Sequence, residues 1–285
     1  MSTRRDLLLL ALAGALAAPL PAHAQSAPVR QGDASTPFAD SGFSGRTPHP
    51  HLTAEQAARF SKQIEQTLAD KGARVAIVFR TGRTRDKLPK GISYTHGAFW
   101  AYVPITLTSG ERVNGYAVYN LYHGDGTTLA KDRSYLAQDF PIDFVRGTAV
   151  DDVAVIIPSP EMQRRIVQIM ASPSYAALHN PSYSLIANPL ETKYQNCNSF
   201  MLNVIAAAAW ETTGPQQIRA NLAQHYKPTR IAVGPVQRLI GPMADSRLKT
   251  DDHKGKLATA TYESMSAFMQ KNGLLTDSFV LNRTP

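Results

Sequence analysis

Cys197 is the residue whose type and position best suit nucleophilic chemistry, and it is the only cysteine of the 285-residue chain. It precedes an apolar run over residues 200–210, in which Phe200, Val204 and Ala208 recur at four-residue spacing. This spacing predicts a helix that buries one face, with Cys197 at or just before its first turn. Unpaired N–H groups and the helix dipole favour negative charge there, so the thiol should ionise readily. The alternative is that Cys197 is a small buried hydrophobic residue.

A cysteine nucleophile needs a general base, and His96 is the candidate with the most informative surroundings among the eight histidines. It lies in a predicted strand beside Gly97, whose missing side chain leaves room for another backbone or a substrate to approach. Taken by itself, His96 is better explained as a structural histidine that has its hydrogen bonds satisfied in the fold. Its combination with a cysteine at a helix start is what indicates a catalytic pair.

The elements that must position these residues indicate an α+β fold. Thr53 caps a first helix that stops at Gly72, and Ser159 followed by Pro160 starts another. A turn at Ser109 and Gly110 joins two long strands, and Pro104 suggests a bulge or a sheet edge near it. Strands are predicted at 74–80, 92–107, 113–123, 151–157 and 229–233, further helices at 216–225 and about 259–271, and a loop at 172–193.

The N-terminus predicts export. Arg4 and Arg5 precede an apolar stretch at 7–20, and Ala22 and Ala24 form an A-x-A cleavage site. Residues 3–8 also resemble a twin-arginine signal. We therefore expect a signal peptide at 1–24 cleaved near Ala24, a flexible leader at 25–50, and one α+β domain at 51–285 with a C-terminal elaboration. The mature chain shows no transmembrane segment, so the expected location is the periplasm. An unpaired thiol in that oxidising compartment should be either buried or useful.

The composition and charge of the chain limit the classes of partner that it is expected to bind. The formal net charge is +8, but the basic residues are dispersed, and the densest cluster reads as a solvated loop containing Arg80, Arg83, Arg85, Lys87 and Lys90. An exported chain without interleaved basic and aromatic residues is not expected to bind nucleic acid. Leader or turn chemistry explains the histidines and aspartates at 49–51, 123–125 and 251–253, so no metal and no cofactor is predicted. The sequence leaves the oligomeric state open.

Several segments resemble an exported bacterial family, domain of unknown function 2145. They are Tyr-Asn-Leu-Tyr at 119–122, Ser-Tyr-Leu at 134–136, Asp-Phe-Pro at 139–141, Ile-Pro-Ser-Pro-Glu at 157–161 and Tyr-Gln-Asn-Cys at 194–197. Thr-His-Gly at 95–97, followed about 100 residues later by Asn-Cys at 196–197, also resembles the circularly permuted NlpC-type papain-like superfamily, which includes lecithin retinol acyltransferase. This second resemblance implies a papain-like fold, with an antiparallel sheet packed against the cysteine-bearing helix and additional helices.

The superfamily resemblance also implies roles for individual residues. Cys197 would be the nucleophile and His96 the general base, with a polar third residue on the following strand. Asn120 and His123 both fit. If the hairpin turns at residues 109–110, residues whose numbers add up to about 219 lie opposite each other, so His123 pairs with His96. A shift of the register at the Pro104 bulge favours Asn120 instead. Asn120 is preferred because it lies within the 119–122 segment.

The same resemblance leads to an oxyanion site at the start of the cysteine helix. The backbone N–H of Cys197 would contribute to it, with Gln195, Tyr194 and Asn196 as supporting residues. The sequence thus predicts an exported cysteine-dependent hydrolase or acyltransferase acting on an amide or ester of the cell envelope. A peptidoglycan peptide is the first choice and an acyl lipid the second. The alternative is a non-catalytic periplasmic module that binds the envelope and retains only the fold.

Overall fold

A computed structural model describes residues 45–47, 49–106, 109–232 and 245–285. The predicted signal peptide at 1–24 and most of the predicted leader lie outside these residues. The strands are β1 Val75–Arg80, β2 His96–Thr106, β3 Arg112–His123, β4 Ser134–Asp139, β5 Asp152–Pro158, β6 Thr229–Arg230, β7 Ala258–Thr259 and β8 Leu275–Asn282. The helices are α1 Ala54–Asp70, α2 Pro141–Val145, α3 Pro160–Met170, α4 Pro173–Ala177, α5 Cys197–Trp210, α6 Pro215–His225 and α7 Tyr262–Lys271, with a short 3-10 helix at Arg85–Lys87.

One six-stranded antiparallel sheet, in the order β4-β3-β2-β1-β5-β8, forms the centre of this α+β fold. A separate two-stranded sheet pairs β6 with β7. Strand β2 lies between two neighbours, since it forms a hairpin with β3 and pairs with β1 along its other edge. The first residue of β2 is therefore surrounded by β1 and β3, which matters for the site described below.

Helices cover both faces of the sheet, because the side chains of each strand alternate between them. On the face that we call the α1 face, Ala76, Val78 and Trp100 pack with α1 and α2. On the opposite face, the α5 face, Val75, Ile77 and Phe79 pack with α3, α5, α6 and α7. The β1 strand is buried along its whole length, which explains its apolar sequence from Val75 to Phe79.

Caps account for where the helices begin. Thr53 caps α1, as its sequence predicts: its side chain accepts a hydrogen bond from Gln56 N. The Gln56 side chain in turn accepts one from Thr53 N, which completes a reciprocal capping box. The chain leaves α1 through Gly72, which has a φ of 64°. Within the described residues, no helix is both long enough and apolar enough to cross a bilayer.

The sequence missed both edge strands of the sheet. Neither β4 nor β8 was predicted, because their side chains are mostly half-buried or exposed and their apolar alternation is weak. Helix α2 was also missed, and α4 occupies part of the stretch at 172–193 that was predicted to be a loop. Of the strand predicted at 229–233, residues 229–230 form β6, residues 231–232 belong to no strand, and residue 233 lies outside the described residues.

Three local expectations differ from the structure. The leader was expected to run to position 50, yet Gly45 is buried and His49 N donates to Arg146 O at 2.7 Å. Arg80 was assigned to a solvated basic loop, yet it is 1 % exposed, because it ends the buried strand β1 and its side chain points inward. Pro104 causes no bulge, since it pairs with Asn114 in an uninterrupted ladder.

Candidate active site

Cys197 is the first residue of α5, as its sequence predicts. The preceding residue, Asn196, caps the helix: its Oδ1 accepts from Ser199 N at 2.9 Å, and its backbone N donates to Ser199 Oγ at 2.8 Å. The Cys197 Sγ lies 3.9 Å from Thr95 O and 3.6 Å from Asn198 Oδ1. The residue is only 2 % exposed. The thiol therefore sits at a capped helix start, beneath the surface and against the residue that precedes β2.

Helix α5 lies close to β2 because Gly97 has no side chain. A Cβ at Gly97 would overlap Met201 Cε and the ring of Phe79. Met201 is one helical turn after Cys197 and so lies on the same side of α5. The space expected beside His96 is thus filled by the cysteine helix itself, and it is not a substrate channel. Gly97 determines how closely the helix and the strand approach.

His96 points away from that contact. Neighbouring residues of a strand face opposite sides, so the imidazole enters the α1 face while Gly97 faces α5. Its ring stacks on Tyr122, with centroids 5.3 Å apart and an angle of 18° between the planes, and lies 5.5 Å from Phe144. The side chain is completely buried. The thiol therefore contacts the start of β2 from the α5 face, whereas the imidazole extends from β2 into the α1 face.

The register of the hairpin determines which polar residue meets His96. Phe99 pairs with Tyr119, and the ladder continues without a shift to Thr106 and Arg112. This register differs by one residue from the one expected for a turn at residues 109–110, since five residues separate the strands. A change of one residue moves every side chain to the other face. Asn120 consequently joins His96 on the α1 face, and its Oδ1 lies 3.0 Å from His96 Nε2.

His123, the alternative third residue, belongs to a different cluster. Its Nδ1 lies 2.7 Å from Gly124 O and its Nε2 lies 3.2 Å from an Arg247 guanidinium nitrogen. Its ring packs against Tyr183, with centroids 5.5 Å apart. The structure therefore brings Asn120 to the His96 ring and holds His123 elsewhere.

A carboxylate beyond Asn120 extends the chain of polar contacts. Asn120 Nδ2 donates to Asp139 Oδ2 at 2.9 Å, and Arg46 donates to Asp139 Oδ1 at 2.6 Å. The Asp139 side chain is fully buried, and burial raises its pKa although Arg46 acts in the opposite direction. The sequence analysis selected neither residue. Asp139 was visible only as part of the Asp-Phe-Pro segment, and Arg46 fell within the predicted leader.

This chain of contacts determines the state of the imidazole. Only the Asn120 amide nitrogen can donate to Asp139, so the amide oxygen faces His96, and Nε2 must carry the hydrogen. His96 Nδ1 is then the unprotonated nitrogen, and it is a buried atom without a hydrogen-bond partner among the described residues. Burial, followed by the nearby Arg80 charge, lowers the His96 pKa well below its usual value. His96 is therefore a neutral imidazole with its base nitrogen available.

The predicted supporting residues have other partners. Gln195 Oε1 accepts from Asn180 N at 2.8 Å and its Nε2 donates to Leu178 O at 3.0 Å, which ties it to the preceding loop. The Tyr194 hydroxyl lies 3.3 Å from Asp251 Oδ2. Asn196 acts as the cap. Ser199 N already donates to Asn196 Oδ1 and Phe200 N to Asn196 O, so the predicted oxyanion site is limited to the N–H groups that precede them in the first turn of α5.

Asn198 is a site residue that the sequence analysis did not select. Its Oδ1 is near the thiol, and its Nδ2 donates to Ala260 O at 3.1 Å. Nothing in the sequence distinguishes it from other polar residues in a first helical turn. As for metals, no set of three or more His, Cys, Asp or Glu side chains is arranged to hold an ion in the described part of the chain.

Comparison with known proteins yields one match. A family model described as an uncharacterized protein conserved in bacteria (DUF2145) matches residues 67–269. That span includes β1 to α7 except for the last residues of the helix, and it contains Cys197, His96, Asn120 and Asp139. No curated protein and no solved structure matches the chain.

Proposed function

Since the chain belongs to the family of uncharacterized proteins conserved in bacteria, DUF2145, we propose an activity from its own site: a cysteine-dependent hydrolase or acyltransferase. The observation that carries the proposal is the 3.0 Å contact between His96 Nε2 and Asn120 Oδ1, which leaves His96 Nδ1 as an unprotonated, unpartnered base. Cys197, the first residue of α5, supplies the nucleophile. Its Sγ contacts the carbonyl oxygen of Thr95, the residue that precedes β2. A thiol nucleophile and an unprotonated imidazole nitrogen are the two groups that a thiol–imidazole mechanism requires.

The proposed reaction proceeds in two steps. His96 Nδ1 takes the proton of the Cys197 thiol, and the sulfur attacks the carbonyl carbon of an amide or ester. The N–H groups at the start of α5 stabilise the oxyanion. When the C–N or C–O bond breaks, His96 returns the proton to the leaving group and a thioester remains on Cys197. Water, or an acceptor alcohol or amine, then attacks the thioester and restores the thiol.

The reaction requires a rearrangement that brings the imidazole to the thiol, since the thiol lies on the α5 side of β2, the imidazole lies on the α1 side, and Nδ1 forms no hydrogen bond to the thiol in the structure. The start of β2 is where such a movement would act, because Thr95 contacts the sulfur and the next residue carries the imidazole. The six-stranded antiparallel sheet and the helix that begins at the cysteine are compatible with a permuted papain-like arrangement, which we include in the proposal.

We place the substrate in the cell envelope, because the first 24 residues have the pattern of an export signal. A peptide or isopeptide bond of peptidoglycan is the preferred target, and an acyl lipid is the second. The periplasm is the compartment that fits both.

The test is trapping of the acyl-enzyme. The protein would be incubated with p-nitrophenyl acetate and, separately, with purified muropeptides, and examined by intact-mass and peptide mass spectrometry. We expect an acetyl group on Cys197 in the wild type and none in Cys197→Ala. His96→Gln should slow acylation by about 100-fold or more, in keeping with the usual contribution of a general base. His225→Gln, at the exposed end of α6, is the matched histidine control and should acylate normally.

A non-catalytic envelope-binding module is the second candidate, and burial favours it. Cys197 is 2 % exposed and His96 is completely buried, so the structure holds both groups away from solvent. Binding of wild-type protein and of Cys197→Ala to purified peptidoglycan sacculi by co-sedimentation would decide between the two. Equal binding without any acylation of Cys197 supports the binding module, whereas a thioester on Cys197 overturns it.

A further inference from the structure

The chain before α1 lies on the α1 face as a strap, which comprises residues 45–47 and 49–51. Gly45 is buried, and its carbonyl accepts from the guanidinium of Arg80 at 3.1 Å. His49 N donates to the carbonyl of Arg146, at the end of α2, at 2.7 Å. The strap is therefore fixed at the ends of β1 and α2, and Arg46 lies between these two points.

Arg80 holds the strap from inside the fold. This side chain is completely buried, and its other terminal nitrogen donates to Gly147 O at 2.5 Å. Its guanidinium lies over the Phe144 ring and also hydrogen-bonds with the Tyr122 hydroxyl. A Cβ at Gly147 would overlap the guanidinium, so the glycine makes room for it. Arg80 thus joins the strap to β3 and to the segment after α2.

Three hydrogen bonds connect Arg46 with His96. Arg46 donates to Asp139 Oδ1 at 2.6 Å. Asn120 Nδ2 donates to the other oxygen of the same carboxylate at 2.9 Å, and Asn120 Oδ1 lies 3.0 Å from His96 Nε2. The Asp139 side chain is fully buried, whereas that of Arg46 is 29 % exposed. Arg46 is therefore the member of the series that links the buried imidazole to the surface.

The charge of Asp139 determines which way the Asn120 amide points. A carboxylate only accepts hydrogen bonds, so it binds the amide nitrogen and leaves the amide oxygen for His96. A protonated Asp139 carries a hydroxyl that can donate to the amide oxygen, and the amide is then free to turn its nitrogen toward His96. In that arrangement Nε2 accepts and the hydrogen of the ring moves to Nδ1, which removes the base nitrogen.

Arg46 is the main group that keeps Asp139 ionised. Burial raises the pKa of Asp139, Arg46 is the strongest influence against this rise, and the Tyr122 hydroxyl also opposes it. Asp143, on α2, acts in the same direction as burial. The charge of Arg80 also interacts with Asp139, but its hydrogen bonds are directed to carbonyls and to Tyr122.

The remaining ionisable groups of the cluster do not replace Arg46. Burial raises the pKa of Tyr122 well above its usual value, so this phenol is neutral, and Tyr135 interacts with Arg46 as a second phenol. Burial, followed by the charges of Arg80 and His123, lowers the pKa of His96. The ring is therefore neutral near pH 7, and the orientation of the Asn120 amide decides its tautomer.

We propose that Arg46 is a positioning residue that acts on His96 through Asp139 and Asn120. It keeps Asp139 as a carboxylate that only accepts hydrogen bonds, and in this way it selects the imidazole tautomer with the hydrogen on Nε2. The strap, held by Arg80, is then part of the structure that prepares the base. The purpose of this arrangement rests on the proposed function, but the tautomer can be measured without any turnover.

The experiment is ¹⁵N NMR of the His96 ring as a function of pH, with the ¹³C shift of the Asp139 carboxyl followed in parallel. In Arg46→Met the pH at which Asp139 gains a proton should rise by about one to three units, the usual effect of removing an adjacent opposite charge. The Nδ1–H form of His96 should appear over the same pH range. Arg46→Lys keeps the charge and should restore the Nε2–H form.

Arg165→Met is the matched control, because Arg165 has a similar exposure of 32 % and pairs with Glu161 at 2.7 Å on α3, away from His96. It should leave the His96 spectrum unchanged. A single Nε2–H form at every pH in Arg46→Met, in a variant with native circular dichroism, overturns the proposal.

Wild-type protein at neutral pH decides the case in which Arg46→Met does not fold. An ionised Asp139 beside an Nε2–H ring supports the role of Arg46, whereas a protonated Asp139 or an Nδ1–H ring rejects it. Failure of wild-type Cys197 to acylate would affect only the proposed activity. Where acylation occurs, its rate in Arg46→Met should fall with the lost fraction of the Nε2–H form.

Discussion

The amide oxygen of Asn120 lies 3.0 Å from Nε2 of His96, while the nitrogen of the same amide donates to Asp139. One side chain thereby fixes which imidazole nitrogen holds the hydrogen and which is left as a base. The arrangement depends on three neighbouring strands, β2, β3 and β4, and each contributes one member.

Asn120→Ala should disturb His96 specifically. It leaves the imidazole N–H and the Asp139 carboxylate without their shared partner, and an unsatisfied buried polar group costs about 1–3 kcal/mol of folding free energy. We expect a mixture of His96 tautomers in ¹⁵N-edited NMR spectra and slower acylation of Cys197. His123→Gln is the matched variant on the same strand. If it altered the His96 resonances as much as Asn120→Ala does, the assignment of Asn120 as the orienting residue would be wrong.

Gly97→Ala should destabilise the protein through the contact between α5 and β2. The added methyl group would overlap Met201 and Phe79, and overpacking of this kind costs about 1–3 kcal/mol. Shortening the opposing side chain in Gly97→Ala/Met201→Ala should recover part of that loss, so the two changes are not additive. Urea unfolding of the single and double variants measures the coupling. Strict additivity would contradict close packing at this position.

Stability should fall with acid in a way that depends on His96. Burial lowers its pKa in the folded state, so the unfolded state binds more protons once the pH drops below about 6.5. The stabilisation is complete above that pH and is lost as the pH falls, by at most about 1.4 kcal/mol per unit. His179, whose pKa burial lowers to about 4, acts in the same direction. The difference in unfolding free energy between wild type and His96→Gln therefore isolates His96, and a pH-independent difference would show that the imidazole is not buried neutral.

Asn196→Ala should affect the thiol as well as the helix. Removing the cap costs about 1 kcal/mol, and it also removes the Asn196 Nδ2 contacts to Leu185 O and Thr259 Oγ1 at 3.0 and 3.2 Å. We expect fraying of the first turn of α5, which exposes Cys197 to the reagent and moves its alkylation profile toward higher pH, because the thiol loses the helix start that favours its ionisation. Thr53→Ala removes the equivalent capping box of α1 and serves as the control, with a similar loss of stability. An unchanged alkylation profile in Asn196→Ala would show that the cap does not hold the thiol in place.

Features that depend on neighbours along the chain could be predicted from the amino-acid sequence. Thr53 predicted where α1 begins, because a cap and the N–H groups it satisfies are only three residues apart, and the apolar spacing after Phe200 predicted the start of α5. The position of Cys197 at the start of α5 was therefore predicted correctly from the sequence. The continuous apolar run of β1 was equally visible. Edge strands such as β8 were not, because their pairing with β5 joins residues more than a hundred positions apart.

Which polar side chains share the site depends on contacts that form only in the folded protein. A register that differs by one residue separates Asn120 from His123, and the local sequence of the hairpin did not reveal it, because loop length and face are coupled through the pairing of both strands. Arg80 illustrates the same limit: it has the sequence surroundings of a solvated loop, but the carbonyls of Gly45 and Gly147 enclose it. Sequence determines local conformation through short-range hydrogen bonds and periodicity, whereas the electrostatic surroundings of Cys197 and His96 arise from segments that meet only after the sheet has formed.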